Sequence, residues 1–226
     1  MRKTILFALS LIIIISTGCI KKMAEIEWVD FIKFDDIMYV SNDYLTNDEL
    51  DNIELGEVYD TVKHKIADVV FDTKYKARDG DAAFHEIGTK VYSVLGYDTD
   101  FRLAVQTEYG IRLYEADSNP NASYGKEILD IENKVDYITL NSESDAQTVI
   151  ATIDNKTDVE SITNIVLNSP IVNEVNRTSD TMYFLEFHLI DGTSITRCYW
   201  IDDGLLERNI KLPDDIKNII NPYLEK

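Results

Sequence analysis

Met182-Tyr183-Phe184-Leu185-Glu186-Phe187-His188-Leu189-Ile190 alternates, with Tyr183, Leu185, Phe187 and Leu189 at every second position. Successive side chains leave a strand on opposite sides, so this period of two predicts a strand with one buried face. Asp191-Gly192 follows, and Asp-Gly accepts the positive φ angles that a tight hairpin turn demands. Ser194 to Ile201 then reads as a second strand, Asp203-Gly204 as a second turn, and Leu205 to Leu212 as a third strand. The stretch predicts a three-strand antiparallel meander.

The flanks supply what covers it. Upstream, Val135 to Leu140 and Thr148 to Ile153 are strand-like. Thr157-Asp158-Val159-Glu160 has the form of a capping box opening a helix to about Asn168. Val159, Ile162 and Val166 make its apolar stripe, supported by Ile165, and Pro170 stops it. Downstream, Pro213 suits a first helical position, Asp214 and Asp215 complement the helix dipole, and Ile216, Ile219, Ile220 and Tyr223 line one side. With both helices packed on the meander, residues 127–226 are predicted to form an α+β domain.

Before it, residues 116–126 contain Asn119-Pro120 among small polar residues and read as a linker. Residues 28–115 read as mainly β. Trp28 to Phe34 and Ile37 to Val40 flank Asp35-Asp36 as a hairpin, and Thr46-Asn47-Asp48-Glu49 suggests a capped short helix. Glu57 to Ile66, Val69 to Phe71, Lys90 to Leu95, Phe101 to Gln106 and Ile111 to Tyr114 are short, apolar or alternating runs bounded by Gly or Asp. That spacing predicts a small barrel or sandwich.

The first residues decide the compartment. Arg2-Lys3 precedes an almost wholly apolar run, Thr4 to Ile15, which is followed by Ser16-Thr17-Gly18-Cys19. A charged start, a short apolar stretch and small residues make a signal peptide over residues 1–18. The run is too short for a permanent span, which needs roughly 20 apolar residues. The small-small-Gly-Cys ending resembles the lipobox of bacterial lipoproteins, with Ser16 standing where Leu is usual. That resemblance implies a diacylglyceryl group on the Cys19 sulfur and cleavage before it. Residues 19–27 would then be a short lipid-anchored tether, and two acyl chains give stable anchoring where one does not.

Composition excludes several classes. With 45% hydrophobic and 28% charged residues, only nine Gly and four Pro, the chain is globular and neither collagen-like nor low in complexity. Its 41 acidic and 22 basic residues give −19, and losing Arg2 and Lys3 with the leader would leave −21. A chain so acidic repels phosphate, so no nucleic-acid partner is expected. Lipidation of Cys19 would leave Cys198 without a disulfide partner, and its strand-like setting predicts a small buried hydrophobe.

Local signatures of chemistry are sparse. His64, His85 and His188 are far apart in sequence, and His188 has Glu186 two residues back as a surface pair or, less simply, half of a zinc site. Asp79-Gly80-Asp81 and Asp202-Asp203-Gly204 offer oxygen ligands but lack the spaced set of a calcium loop, and read as turns. There is no nucleophile elbow, zincin helix, phosphate-binding Gly loop or redox Cys pair. No catalytic residue, metal or cofactor is expected.

Trp28-Val29-Asp30-Phe31-Ile32, Asp79-Gly80-Asp81-Ala82-Ala83-Phe84, Gly88-Thr89-Lys90-Val91-Tyr92, Gly96-Tyr97 with Phe101-Arg102-Leu103-Ala104, and Asp191-Gly192-Thr193-Ser194 together resemble uncharacterised lipoproteins of Bacillus and related Firmicutes. The resemblance implies a place on the outer face of the cytoplasmic membrane and transfers no site. The expectation is a membrane-tethered, non-catalytic binding or regulatory module whose partners are the membrane, through Cys19, and a membrane or envelope protein. The alternative is an extracytoplasmic hydrolase acting on a cell-envelope substrate, its site assembled from distant residues such as His64, His85 and His188.

Overall fold

The computed structural model describes residues 26–42, 45, 47–50, 52–175 and 177–225. The leader, Cys19, most of the tether and Thr46 lie outside them. The first half contains β1 (Phe31–Phe34), β2 (Ile37–Ser41), a helical turn α1 (Asn47–Leu50), β3 (Leu55–Thr61), β4 (His64–Lys65), β5 (Asp81–Ala82), β6 (Lys90–Val94), β7 (Arg102–Thr107) and β8 (Gly110–Ser118). These strands form one sheet in the order β3-β6-β7-β8-β2-β1-β5-β4. Its pairs are antiparallel apart from β4 with β5.

The two outermost strands of that order, β3 and β4, are separated in sequence only by Val62 and Lys63. At about 3.3 Å per residue, two residues cannot span an open sheet. The sheet therefore rolls up until its edges meet. At the junction the Val62 amide donates to Thr89 O, while the next amide, that of Lys63, donates to Gly80 O on the opposite edge. Gly80 has φ +88°, and a Cβ there would lie 2.5 Å from Lys63 Cδ, so the closure needs glycine. Ile32, Phe34, Tyr39, Val62, Val91, Leu103, Val105 and Tyr114 fill the enclosed core. The barrel reading of the first half holds, with strands placed differently in detail. Glu57 to Ile66 is split at the junction, and Val69 to Phe71 is a turn in which the Val69 and Val70 amides both donate to Ile66 O.

Asp35 and Asp36, at φ 50° and 63°, make the two-residue turn between β1 and β2. Their short polar side chains tolerate that left-handed geometry better than most. β8 continues to Ser118, into the stretch read as a linker.

The second sheet has β9 (Val135–Asn141), β10 (Val149–Ile153), β11 (Met182–Leu189), β12 (Ser194–Trp200), β13 (Leu205–Leu206) and β14 (Ile210–Lys211) in the order β10-β9-β11-β12-β13-β14. Leu185, Phe187 and Leu189 are buried and Tyr183 packs beside them. Helices α2 (Lys156–Asn168) and α3 (Asp215–Leu224) cover this face with Val159, Ile162, Val166, Ile216 and Ile220. The α+β architecture follows.

Three local readings are corrected. The cap of α2 is Asn155, whose Oδ1 accepts from the amides of Thr157 and Asp158, and Thr157 is already helical. Leu205 to Leu212 is two short strands around Arg208 and Asn209, both at positive φ. Pro213 lies before α3, which begins at Asp215. Replacing Asn155 by Ala should cost about 1 kcal/mol, whereas Thr157→Ala, at an exposed position, should stay within about 0.5 kcal/mol. Gly192→Val should destabilise more than either, since φ is +91° there. Urea denaturation of the three variants checks the ranking.

Candidate functional site

Leu103 and Val105 point into the barrel, so by alternation Arg102 and Ala104 point out of it, Ala104 onto Ile53, Val94 and Leu113 and Arg102 toward the second sheet. Arg102 through Val105 are all 0% exposed, which makes β7 buried on both faces. On the outward face Arg102 stands opposite Glu115 of β8. Arg102 Nη2 donates to Glu115 Oε1 at 3.1 Å, and Arg197 Nη2, from β12, donates to Oε2 at 3.0 Å. One carboxylate is thus shared by two guanidiniums, one from each sheet. Asn42 Nδ2 is 2.9 Å from both Glu115 Oε1 and Ser194 O, adding a second link across the seam.

The hairpin turn between β11 and β12 closes over the same arginine. Arg102 Nη1 donates to Thr193 Oγ1 at 3.1 Å and lies 3.7 Å from Asp191 Oδ2. Tyr97 OH donates to that carboxylate oxygen at 2.6 Å, and the guanidinium carbon sits 4.4 Å from the centroid of the Tyr97 ring. The Thr193 amide and hydroxyl both donate to Asp191 Oδ1. Arg102, Arg197, Glu115 and Asp191 sum to zero formal charge. Burial pushes the Glu115 carboxyl up, but the guanidiniums of Arg197 and Arg102 and the Asn42 amide outweigh it and hold the group below its ordinary value. Asp191 is likewise lowered, with the Tyr97 and Thr193 hydrogen bonds overcoming burial. Among the described residues Arg102 Nε and Arg197 Nε have no hydrogen-bond partner.

A cavity of about 210 Å³ beside the seam is lined by Glu115, Arg197, Cys198, Glu207 and Arg208 among others. Arg208 is paired with Asp117 at 2.5 Å and with Glu207 at 2.7 Å. Burial, and then the Glu207 charge, push the Cys198 thiol above its ordinary value, opposite to what a nucleophile requires. Cys198 is half-buried.

The histidines occupy three separate settings, and none lines this cavity. His64 lies exposed on β4. His85 Nε2 is 2.6 Å from Tyr114 Oη, which sits 3.1 Å from both carboxylate oxygens of Asp30, itself paired with Arg112. His188 stacks on Tyr137 at 4.1 Å, with Nε2 3.2 Å from Thr139 Oγ1 and 3.6 Å from Glu186 Oε2. Glu186 also accepts from Asn141 Nδ2 at 2.7 Å. Burial holds both the His85 and His188 imidazoles below their ordinary values. The acidic turns are fastened locally: Asp79 accepts from the Asp36 amide, Asp81 from Tyr75 OH, Asp202 from Ser179 OH and Asp203 from the Thr178 amide.

No protein-family model, curated protein or solved structure matches this chain. Among the described residues no helix is long and apolar enough to cross a membrane.

Sequence reasoning passed over the Arg102–Glu115–Arg197 cluster. The available signal was a charge inside an apolar run, Phe101-Arg102-Leu103-Ala104-Val105, matched by Glu115 between Tyr114 and Ala116. Glu115→Ala would leave two buried guanidiniums without their shared partner, an expected loss of about 3 to 5 kcal/mol. The lowered Glu115 carboxyl also fixes a pH dependence. Its stabilising contribution is fully present above the ordinary carboxylate range and is lost as pH falls through its depressed folded value. The gap in denaturation midpoint between the natural chain and Glu115→Gln should therefore be wide at neutral pH and shrink toward pH 3.

Proposed function

We propose that the chain is a lipoprotein held by Cys19 on the extracytoplasmic face of the cell membrane, where it works as a non-catalytic binding or regulatory module. The leader motivates the anchor. One structural observation supports the rest: the charged groups of the seam are spent on each other, and the three histidines stand in separate settings, His64 exposed on β4. Arg102, Arg197, Glu115 and Asp191 neutralise one another in the seam between the sheets. His85 and His188 are engaged separately, with Tyr114 and with Thr139 and Glu186. A hydrolase needs its nucleophile and base to converge in one accessible cavity, and none of His64, His85 and His188 lines the cavity beside the seam. The groups present support cohesion of the fold, and recognition falls to the outer surface.

Expression in a lipoprotein-competent bacterium should give a mature protein that begins at Cys19 and carries added acyl mass, read by intact mass spectrometry. A free Cys19 thiol on the mature chain would refute the anchor. Turnover of an envelope substrate that disappears on changing His85 or His188 to Ala would instead establish the hydrolase.

A further inference from the structure

The segment from Lys63 to Arg78 runs against the charge of the rest of the protein. It holds five basic residues, Lys63, Lys65, Lys74, Lys76 and Arg78, against two acidic ones, Asp68 and Asp72, in a chain of net charge −19. Lys65 is matched by Asp68 and Glu86, and Lys63 by Asp60. Among the described residues neither Lys74 nor Lys76 has a carboxylate within salt-bridge distance, and both are exposed.

The same loop sorts its apolar residues onto two sides. Val70 and Tyr75 turn inward onto a small core of Phe31, Ile66 and Ala83, shared with Trp28. Tyr75 meets the Trp28 ring edge-on at 6.4 Å. Val69 and Phe71 turn outward and are 69% and 44% exposed. A second loop lies alongside, since the Ala67 amide donates to Ala83 O and Lys65 Nζ reaches Glu86 at 2.8 Å. It contributes Phe84 and Ile87, exposed by 47% and 69%. The result is an apolar rim with the exposed Lys74 and Lys76 beside it, bordered also by Asp68, Asp72 and Glu86, on the outer side of the loop whose inner side packs with Trp28.

Position then selects the occupant. Only residues 20–27 separate Trp28 from Cys19, a reach of roughly 30 Å when fully extended. Lys21 and Lys22 in that segment carry the same sign as the loop. An acidic body tethered so closely is repelled by anionic headgroups everywhere except where its local charge is positive. Exposed Val and Phe side chains at the same place can enter the headgroup boundary, while Lys74 and Lys76 meet the phosphates. We infer that the rim formed by Val69, Phe71, Phe84 and Ile87, with Lys74 and Lys76, is the face that this protein lays on an anionic bilayer. The inference rests on the lipid tether proposed above and adds how the body is oriented on it.

The test uses the mature, acylated protein carrying Cys198→Ser and one new cysteine, labelled with an environment-sensitive fluorophore. Val69→Cys reports on the rim. Leu95→Cys is the control, exposed beside Glu54 at the start of β3, whose six steps to Thr61 place it about 20 Å from the barrel junction. On vesicles containing phosphatidylglycerol the label at 69 should shift to the blue and brighten, and the label at 95 should not. The shift should vanish in Lys74→Glu/Lys76→Glu protein and shrink near 1 M salt, where the screening length is roughly 3 Å. Floated protein with no shift at 69, or with equal shifts at both positions, would overturn the orientation while leaving the anchor intact. A shift that appears only when an envelope protein is added would also overturn it in favour of a protein partner. Acyl mass on Cys19 is read from the same preparation, so an absent tether and a rim that avoids the bilayer give different results.

Discussion

Glu115 is the buried charge at which the two sheets meet. Its two carboxylate oxygens receive guanidinium groups from β7 and β12, and the Asn42 amide ties one of them to the backbone of Ser194. Desolvating ions is costly, and a well-packed apolar seam could match such a cluster in stability. What the ions add is direction. Apolar side chains tolerate sliding, whereas a carboxylate bound from both sides fixes the register of one sheet on the other. The stacking of Arg102 on Tyr97, and the seating of the Asp191 turn over it, extend that constraint to both halves.

The barrel depends on a different device. A single stretch of backbone serves as one edge through β3 and as the other through β4, so closure is built into connectivity and needs no separate latch. Gly80 permits the crossing, and Asp81 beside it accepts from Tyr75 OH and from the Arg78 amide. The basic loop is thereby held at both ends. Its outward side chains are presented from a fixed base beside Trp28.

Elements whose burial follows strand or helix period were legible in the sequence. The alternation from Tyr183 to Leu189, the stripe of Val159, Ile162 and Val166, and the Asp191-Gly192 turn all announce their structure locally. Elements defined by a distant partner were not. Nothing inside Glu57 to Ile66 says that its pairing changes sheet edge at Val62. The division of Leu205 to Leu212 depends on Arg208 and Asn209 adopting positive φ, which their residue types permit but do not demand. Arg102 and Glu115 are hidden for the same reason, since a charge in a strand normally marks the solvent face, and only the second sheet makes this face interior.

The sheet order has a consequence for how the chain reaches its structure. Translation proceeds from the N-terminus, so the hairpin of β1 and β2 is made first, yet in the finished sheet it lies between β5 and β8. Met38 must wait for Ser118, and Glu115 must wait for Arg197. Until those residues emerge, the early hairpin has unpaired edges and the charges of the future seam remain in water. Non-local pairing of this kind is slow, and unpaired edges are prone to mispairing. The nascent chain is most vulnerable before β8 is complete, and the seam can lock only when most of the protein has been made.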